Sequence, residues 1–139
     1  MSDALAGRRI LIVEDESLVS MLLETILEDL GCETVGPAGT VTDGLGIARQ
    51  GTMDAALLDV NVAGELVFPI AQTLKDRGVP FVFSTGYGEG GLPENWRGNT
   101  TIQKPFTEAA VRDALIKALG ALSHLSTPCP SKDGGLTRP

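Results

Sequence analysis

The chain has 139 residues, of which 42% are hydrophobic and 21% charged, which is the size and composition of one globular domain. Its net charge of −7 argues against nucleic acid or an anionic membrane surface as the main partner, because an acidic surface repels both. The beginning of the sequence holds no apolar stretch long enough for a signal peptide or a membrane span, so we expect a cytoplasmic protein.

Hydrophobic periodicity predicts short strands that alternate with helices over most of the chain. In chain order the predicted elements are strand 8–13, helix 17–30, strand 32–35, helix 40–50, strand 54–60, helix 65–77, strand 81–83, strand 100–103 and helix 107–122. Pro69 lies beyond the first turn of its predicted helix, where proline is unfavourable. Residues 86–98 contain five glycines and one proline, which predicts a short or mobile fourth helix.

The alternation of strands and helices predicts an α/β fold with a parallel sheet and helices on both faces. For five strands we expect the flavodoxin-like three-layer sandwich with strand order 2-1-3-4-5. We expect the domain to span residues 8–122, after an N-terminal extension over 1–7 and before a loosely ordered C-terminal tail over 123–139. In this fold a ligand binds beyond the carboxyl ends of the strands at the switch point, here strands one and three.

Residues able to carry chemistry follow four of the predicted strands at that edge of the sheet. In chain order they are Glu14 and Asp15, then Asp59, Thr85 and Lys104. Crowded carboxylates raise one another's pKa unless a cation neutralises them, and Mg²⁺ prefers such oxygen ligands. Each residue taken singly has an ordinary explanation as a turn, a cap or a surface group. Their occurrence together at one edge is what indicates a functional site.

At these positions the sequence resembles the receiver domains of two-component response regulators. The resemblance covers residues 8–122 and rests on Ile-Leu-Ile-Val-Glu-Asp-Glu at 10–16, Ala-Leu-Leu-Asp-Val-Asn at 56–61, Val-Phe-Ser-Thr-Gly at 82–86 and Ile-Gln-Lys-Pro-Phe at 102–106. The run Phe-Ser-Thr-Gly-Tyr at 83–87 is similar to the Phe-Ala-Thr-Gly-Tyr motif of single-domain alphaproteobacterial receivers.

The resemblance implies a stand-alone response regulator of the phosphorelay type. Asp59 would take a phosphoryl group from a phosphohistidine on a sensor histidine kinase or a histidine phosphotransferase. Mg²⁺ would be held by Asp15, Asp59 and the backbone carbonyl of Asn61, with Glu14 acting through water. We expect no enzymatic activity beyond its own phosphorylation and dephosphorylation, and an output by phosphotransfer or by contact with a downstream protein regulator.

The resemblance also implies that Thr85 and Lys104 contact the phosphoryl oxygens. Ile102 stands where we place the switch Tyr or Phe that many receivers carry. We therefore expect residues 86–98, with a contribution from Tyr87, to be the part that moves on phosphorylation.

Two other functions remain open. An Asp nucleophile on a similar sheet also serves metal-dependent phosphatases, but these usually need a second acid two residues on, where this sequence has Asn61. A flavodoxin-like module that binds a flavin is the other alternative. The acidic residues after strand one count against it, because the flavin's phosphate prefers a hydroxyl-rich loop at that place.

Overall fold

Strands and helices alternate through the part of the chain described by the structure, a computed structural model covering residues 5–86 and 92–126. The elements in chain order are β1 Arg9–Val13, α1 Ser17–Asp29, β2 Glu33–Ala38, α2 Val41–Gln50, β3 Ala55–Asp59, β4 Asn61–Val62, β5 Glu65–Leu66, α3 Phe68–Asp76, β6 Phe81–Thr85, β7 Thr101–Gln103 and α4 Glu108–Ser126. None of the described helices is long and apolar enough to cross a membrane.

Five strands form one parallel sheet in the order β2-β1-β3-β6-β7. Counted within this sheet, the order is 2-1-3-4-5, so the predicted flavodoxin-like fold is confirmed. Residues of β1 and β3 are almost all buried, which explains why both strands read as unbroken apolar runs in the sequence.

The sheet separates two apolar clusters, and the side chains of each strand alternate between them. The α2/α3 face holds Leu11, Val13, Leu58, Ile70 and Phe83 among its buried residues. The α1/α4 face holds Ile12, Leu57, Val82, Ile102 and Leu115 among its own. The same alternation decides the face toward which each residue at the carboxyl end of a strand points.

The segment after β3 differs from the prediction of a helix beginning at residue 65. It forms a small antiparallel hairpin of β4 and β5, and α3 begins only at Phe68. The two residues of the hairpin turn, Ala63 and Gly64, have positive φ of 52° and 84°, the geometry that two-residue hairpin turns favour. Pro69 consequently lies in the first turn of α3, where its missing N–H has no helical partner to lose.

Residues 92–98 pack against the α2/α3 face. Glu94–Trp96 form a single 3₁₀ turn, which agrees with a short fourth helix in the described part of this segment. The Trp96 ring is stacked on Phe68 at a centroid distance of 5.5 Å and meets Phe83 edge-on at 5.9 Å. Residues 92–98, the second part of the segment expected to move, are therefore anchored in the core. Residues 87–91, including Tyr87, lie outside the described residues.

The last helix is longer than the sequence pattern indicated. It continues to Ser126, past the predicted end at residue 122. Residues 1–4 of the predicted N-terminal extension and 127–139 of the predicted tail lie outside the described residues.

Candidate functional site

The carboxyl ends of the parallel strands bring the predicted site residues to one edge of the sheet. Glu14 directly follows β1, Asp59 ends β3, Thr85 ends β6 and Lys104 directly follows β7. Glu14, Asp59 and Thr85 are 3%, 9% and 4% exposed, so these polar groups are held in a largely dehydrated environment. Such burial requires partners for each charge.

Lys104 joins two of the carboxylates. Its Nζ lies 3.2 Å from Glu14 Oε1 and 3.3 Å from Asp59 Oδ2. The backbone N–H of Lys104 donates to the Thr85 carbonyl oxygen at 3.0 Å, which fixes the start of this side chain relative to the end of β6. One ammonium group therefore bridges two buried carboxylates that belong to different strands.

Burial is the main cause that shifts the pKa of each of the two carboxylates. Burial raises the pKa of Glu14 to about 7, Asp59 adds to the rise, and the Glu16 N–H and Lys104 partly oppose it. Burial likewise raises the pKa of Asp59, against the opposing attraction of Lys104. For Lys104, burial acts to lower the pKa, but attraction to Asp59 and Glu14 outweighs it and the pKa is raised. The site thus favours additional positive charge.

The donor set of this edge fits a divalent cation with a preference for oxygen. Glu14, Asp15 and Asp59 each offer a carboxylate oxygen, and these three atoms lie within 4.8 Å of one another. Both oxygens of Glu14 already accept hydrogen bonds, one from Lys104 and the other from the Glu16 N–H at 3.1 Å. Asp15, which is exposed, and Asp59 are therefore the better candidates for direct contact with a cation such as Mg²⁺.

Asn61 lies two residues past Asp59, at the start of the hairpin. Its side-chain Oδ1 accepts the N–H of Gly64 at 3.1 Å and so closes the turn. The Asn61 side chain therefore stabilises the hairpin turn. Because it is an amide, it cannot act as the second acid that an Asp-nucleophile phosphatase usually has at this position.

Sequence reasoning gave little weight to Ser84, which the structure places beside the central carboxylate. Ser84 is the β6 residue in register with Asp59 of β3, and it is 3% exposed. The sequence shows only that Ser84 stands near the carboxyl end of its strand, and the register with Asp59 is decided by how β3 and β6 pair.

Ile102, where we placed the switch Tyr or Phe of many receivers, does not face the segment that we expected to move. It packs with Val111 and Leu115 on the α1/α4 face. Thr101, which pairs with Phe83, lies on the opposite face by strand alternation, the face that holds Trp96. Thr101, rather than Ile102, is thus directed toward the side on which residues 92–98 pack.

Comparisons with known proteins agree with this fold. The family model of the response regulator receiver domain matches residues 10–116. The solution structure of SdrG from Sphingomonas melonis Fr1 is 43% identical, has a TM-score of 0.70, and is similar over 88% of this chain and 99% of that one.

Two regulators named PhyR are also similar. The phyllosphere-induced regulator PhyR of Methylorubrum extorquens is 35% identical over 114 residues, which are 79% of this chain and 43% of PhyR. The crystal structure of the anti-anti-sigma factor PhyR from Bartonella quintana is 26% identical, with a TM-score of 0.76 over 86% of this chain and 50% of that one. The chain therefore spans half or less of these two regulators.

Proposed function

This chain belongs to the response regulator receiver domain family of two-component signalling, and we propose that Asp59 is its phosphoryl acceptor. The observation that carries the proposal is the bridging position of Lys104, 3.3 Å from Asp59 and 3.2 Å from Glu14. Phosphoryl transfer depends mainly on positioning and on cations that stabilise charge spread over the phosphoryl oxygens. A buried carboxylate with a fixed ammonium group beside it supplies both conditions.

In the proposed reaction an oxygen of the Asp59 carboxylate bonds to the phosphorus of a phosphohistidine. The phosphorus–nitrogen bond of the donor breaks, and its electron pair returns to the imidazole nitrogen. Carboxylates are known covalent carriers of phosphoryl groups. Lys104 and Thr85 would bind the oxygens of the transferred group, because the added negative charge attracts the ammonium and offers acceptors to the hydroxyl.

We assign the cation site to Asp15, Asp59 and the backbone carbonyl of Asn61, with Glu14 acting through water. These are hard oxygen donors, which suit Mg²⁺. When bound, Mg²⁺ would offset the repulsion between the anionic acceptor and the anionic donor. The role of this chain's own residues is to hold the acceptor oxygen in place within a largely buried site.

The proposed partners are a sensor histidine kinase or a histidine phosphotransferase in the cytoplasm, which supplies the phosphoryl group. For the output we propose phosphotransfer or contact with a protein regulator, with residues 8–122 forming the acting domain. A regulator of the anti-sigma type is one candidate, since a relative is named as an anti-anti-sigma factor.

Phosphorylation by acetyl phosphate with Mg²⁺, followed by intact-mass measurement, tests the acceptor. The wild-type protein should gain the mass of one phosphoryl group, and Asp59→Asn should gain none. Asp54→Asn is a matched control because Asp54 lies just before the other end of β3, where it pairs with Arg8 and Arg9. Asp54→Asn should gain the group as wild type does, and a phosphoryl group retained by Asp59→Asn would overturn the assignment.

A further inference from the structure

Ser84 carries a buried hydroxyl at the end of the strand next to Asp59. The residue is 3% exposed, and its Oγ has no hydrogen-bond partner among the described residues. Buried polar side-chain atoms in native proteins nearly always have such a partner, so an exception requires an explanation. A buried hydroxyl without a hydrogen-bond partner in one state of a protein can gain a partner in another state.

The position of Ser84 relates it directly to the proposed acceptor. In the sheet Ser84 is in register with Asp59 on one side and with Ile102 on the other. Val82 and Leu57, each two residues earlier on its strand, both belong to the α1/α4 cluster, so alternation places Ser84 and Asp59 on that same face. Adjacent strands lie about 4.8 Å apart, so the two side chains are immediate neighbours.

Lys104 reaches its two carboxylates past the strand that carries Ser84. It follows β7, whereas Asp59 belongs to β3, and β6 lies between these two strands. Lys104 therefore reaches Asp59 and Glu14 past the carboxyl end of β6, the strand that ends in Ser84 and Thr85. The hydroxyl is placed beside the charged pair, yet within the described residues it bonds to neither member.

We infer that the Ser84 hydroxyl is a third contact for the phosphorylated side chain, in addition to Thr85 and Lys104. The inference rests on the proposed role of Asp59. Phosphorylation adds three acceptor oxygens next to Ser84 and replaces the Asp59 carboxylate beside Lys104 with a phosphoryl anion. The hydroxyl then donates to an oxygen of the phosphorylated Asp59 side chain. Ser84 in this way favours the phosphorylated form, because among the described residues the unphosphorylated form offers the hydroxyl no partner.

Beryllofluoride with Mg²⁺ tests the inference as an equilibrium mimic of the phosphoryl group. Ser84→Ala should bind beryllofluoride about tenfold more weakly than wild type, the effect of losing one hydrogen bond to a charged group. Without ligand its melting temperature should equal or exceed that of wild type, because an unsatisfied hydroxyl has been removed. Val82→Ala is the packing control, since Val82 is fully buried on the same strand and face. It should lower the melting temperature and leave the affinity unchanged.

Equal affinity of wild type and Ser84→Ala for beryllofluoride would overturn the inference, as would a loss of affinity in Val82→Ala that matches the loss in Ser84→Ala. Acetyl phosphate labelling of the same samples separates this result from failure of the proposed function. If both proteins gain one phosphoryl group and bind the mimic equally, only the contact from Ser84 is wrong. If wild type neither gains the group nor binds the mimic, both proposals are wrong.

Discussion

Replacing Lys104 by Met tests whether one ammonium group holds the two buried carboxylates together. Met keeps much of the length and apolar area of the lysine stem but removes its charge. Removing one partner of a buried ion pair costs about 3–5 kcal/mol, because the other charge is left buried without compensation. The Lys104 side chain is 24% exposed, so solvent compensates part of the loss. We expect the variant to be destabilised by about 3 kcal/mol at pH 8 in the absence of Mg²⁺.

The destabilisation by Lys104→Met should depend on pH. The pKa of Glu14 is raised to about 7, so below that pH the glutamate accepts a proton and its repulsion with Asp59 falls. The cost of removing Lys104 should therefore be smaller at pH 5.5 than at pH 8. Urea denaturation of both proteins at the two pH values, with chelator present, measures the difference.

Lys75→Met provides the control for loss of a positive charge elsewhere. The Lys75 ammonium lies over the Trp96 ring at 5.9 Å, and Lys75 itself is exposed, so removing its charge should cost about 1 kcal/mol or less. A cost for Lys104→Met as small as that for Lys75→Met, at both pH values, would refute the reasoning from the bridged carboxylates.

Three further perturbations follow from the structure. In metal-free protein, the raised pKa of Glu14 means that the folded state binds more protons than the unfolded state between pH 4.5 and about 7, so stability should fall as pH rises through this window. Glu14→Gln should flatten that slope in urea denaturation, and an unchanged slope would exclude Glu14 as its source. Trp96→Ala should lower the free energy of unfolding by about 3 kcal/mol or more, because its ring packs on Phe68 and Phe83. A cost below about 1 kcal/mol would show that residues 92–98 are not anchored in the core. Gly64→Ala should lower the free energy of unfolding by about 1–2 kcal/mol, because φ is 84° at this position. Gly46→Ala, at an open position inside α2, should raise it by about 0.5–1 kcal/mol. Equal effects of the two substitutions would contradict the hairpin turn.

Much of the fold could be predicted from the sequence because its signals are local. The apolar run before Glu14 and the run that ends at Asp59 are typical of strands buried on both faces, and periodic helices separate the strands. In a parallel sheet all strands point the same way, so their carboxyl ends must share one edge. The proximity of Asp15, Asp59 and Lys104 followed from that rule before any distance was known.

The extent of some elements depended on packing and was missed. A two-residue strand has no periodicity to detect, so the hairpin at Asn61–Val62 and Glu65–Leu66 was read as part of a helix. The position of Trp96 was also hidden, because a single aromatic in a glycine-rich segment gives no direction. Its contacts with Phe68 and Phe83 exist only once β6 and α3 lie side by side.

The sequence by itself determined which residues meet at Asp59, because the order and the carboxyl ends of the strands are enough to place residues along one edge of a parallel sheet. The tertiary structure decided how those residues interact. Burial sets the pKa of Glu14 near 7, and the order of the strands makes Lys104 reach past the end of β6 to its carboxylates. The register of β3 and β6 places the buried Ser84 hydroxyl beside Asp59. Desolvation and strand order arise only when the sheet is packed, so neither can be read from a single residue of the unfolded chain.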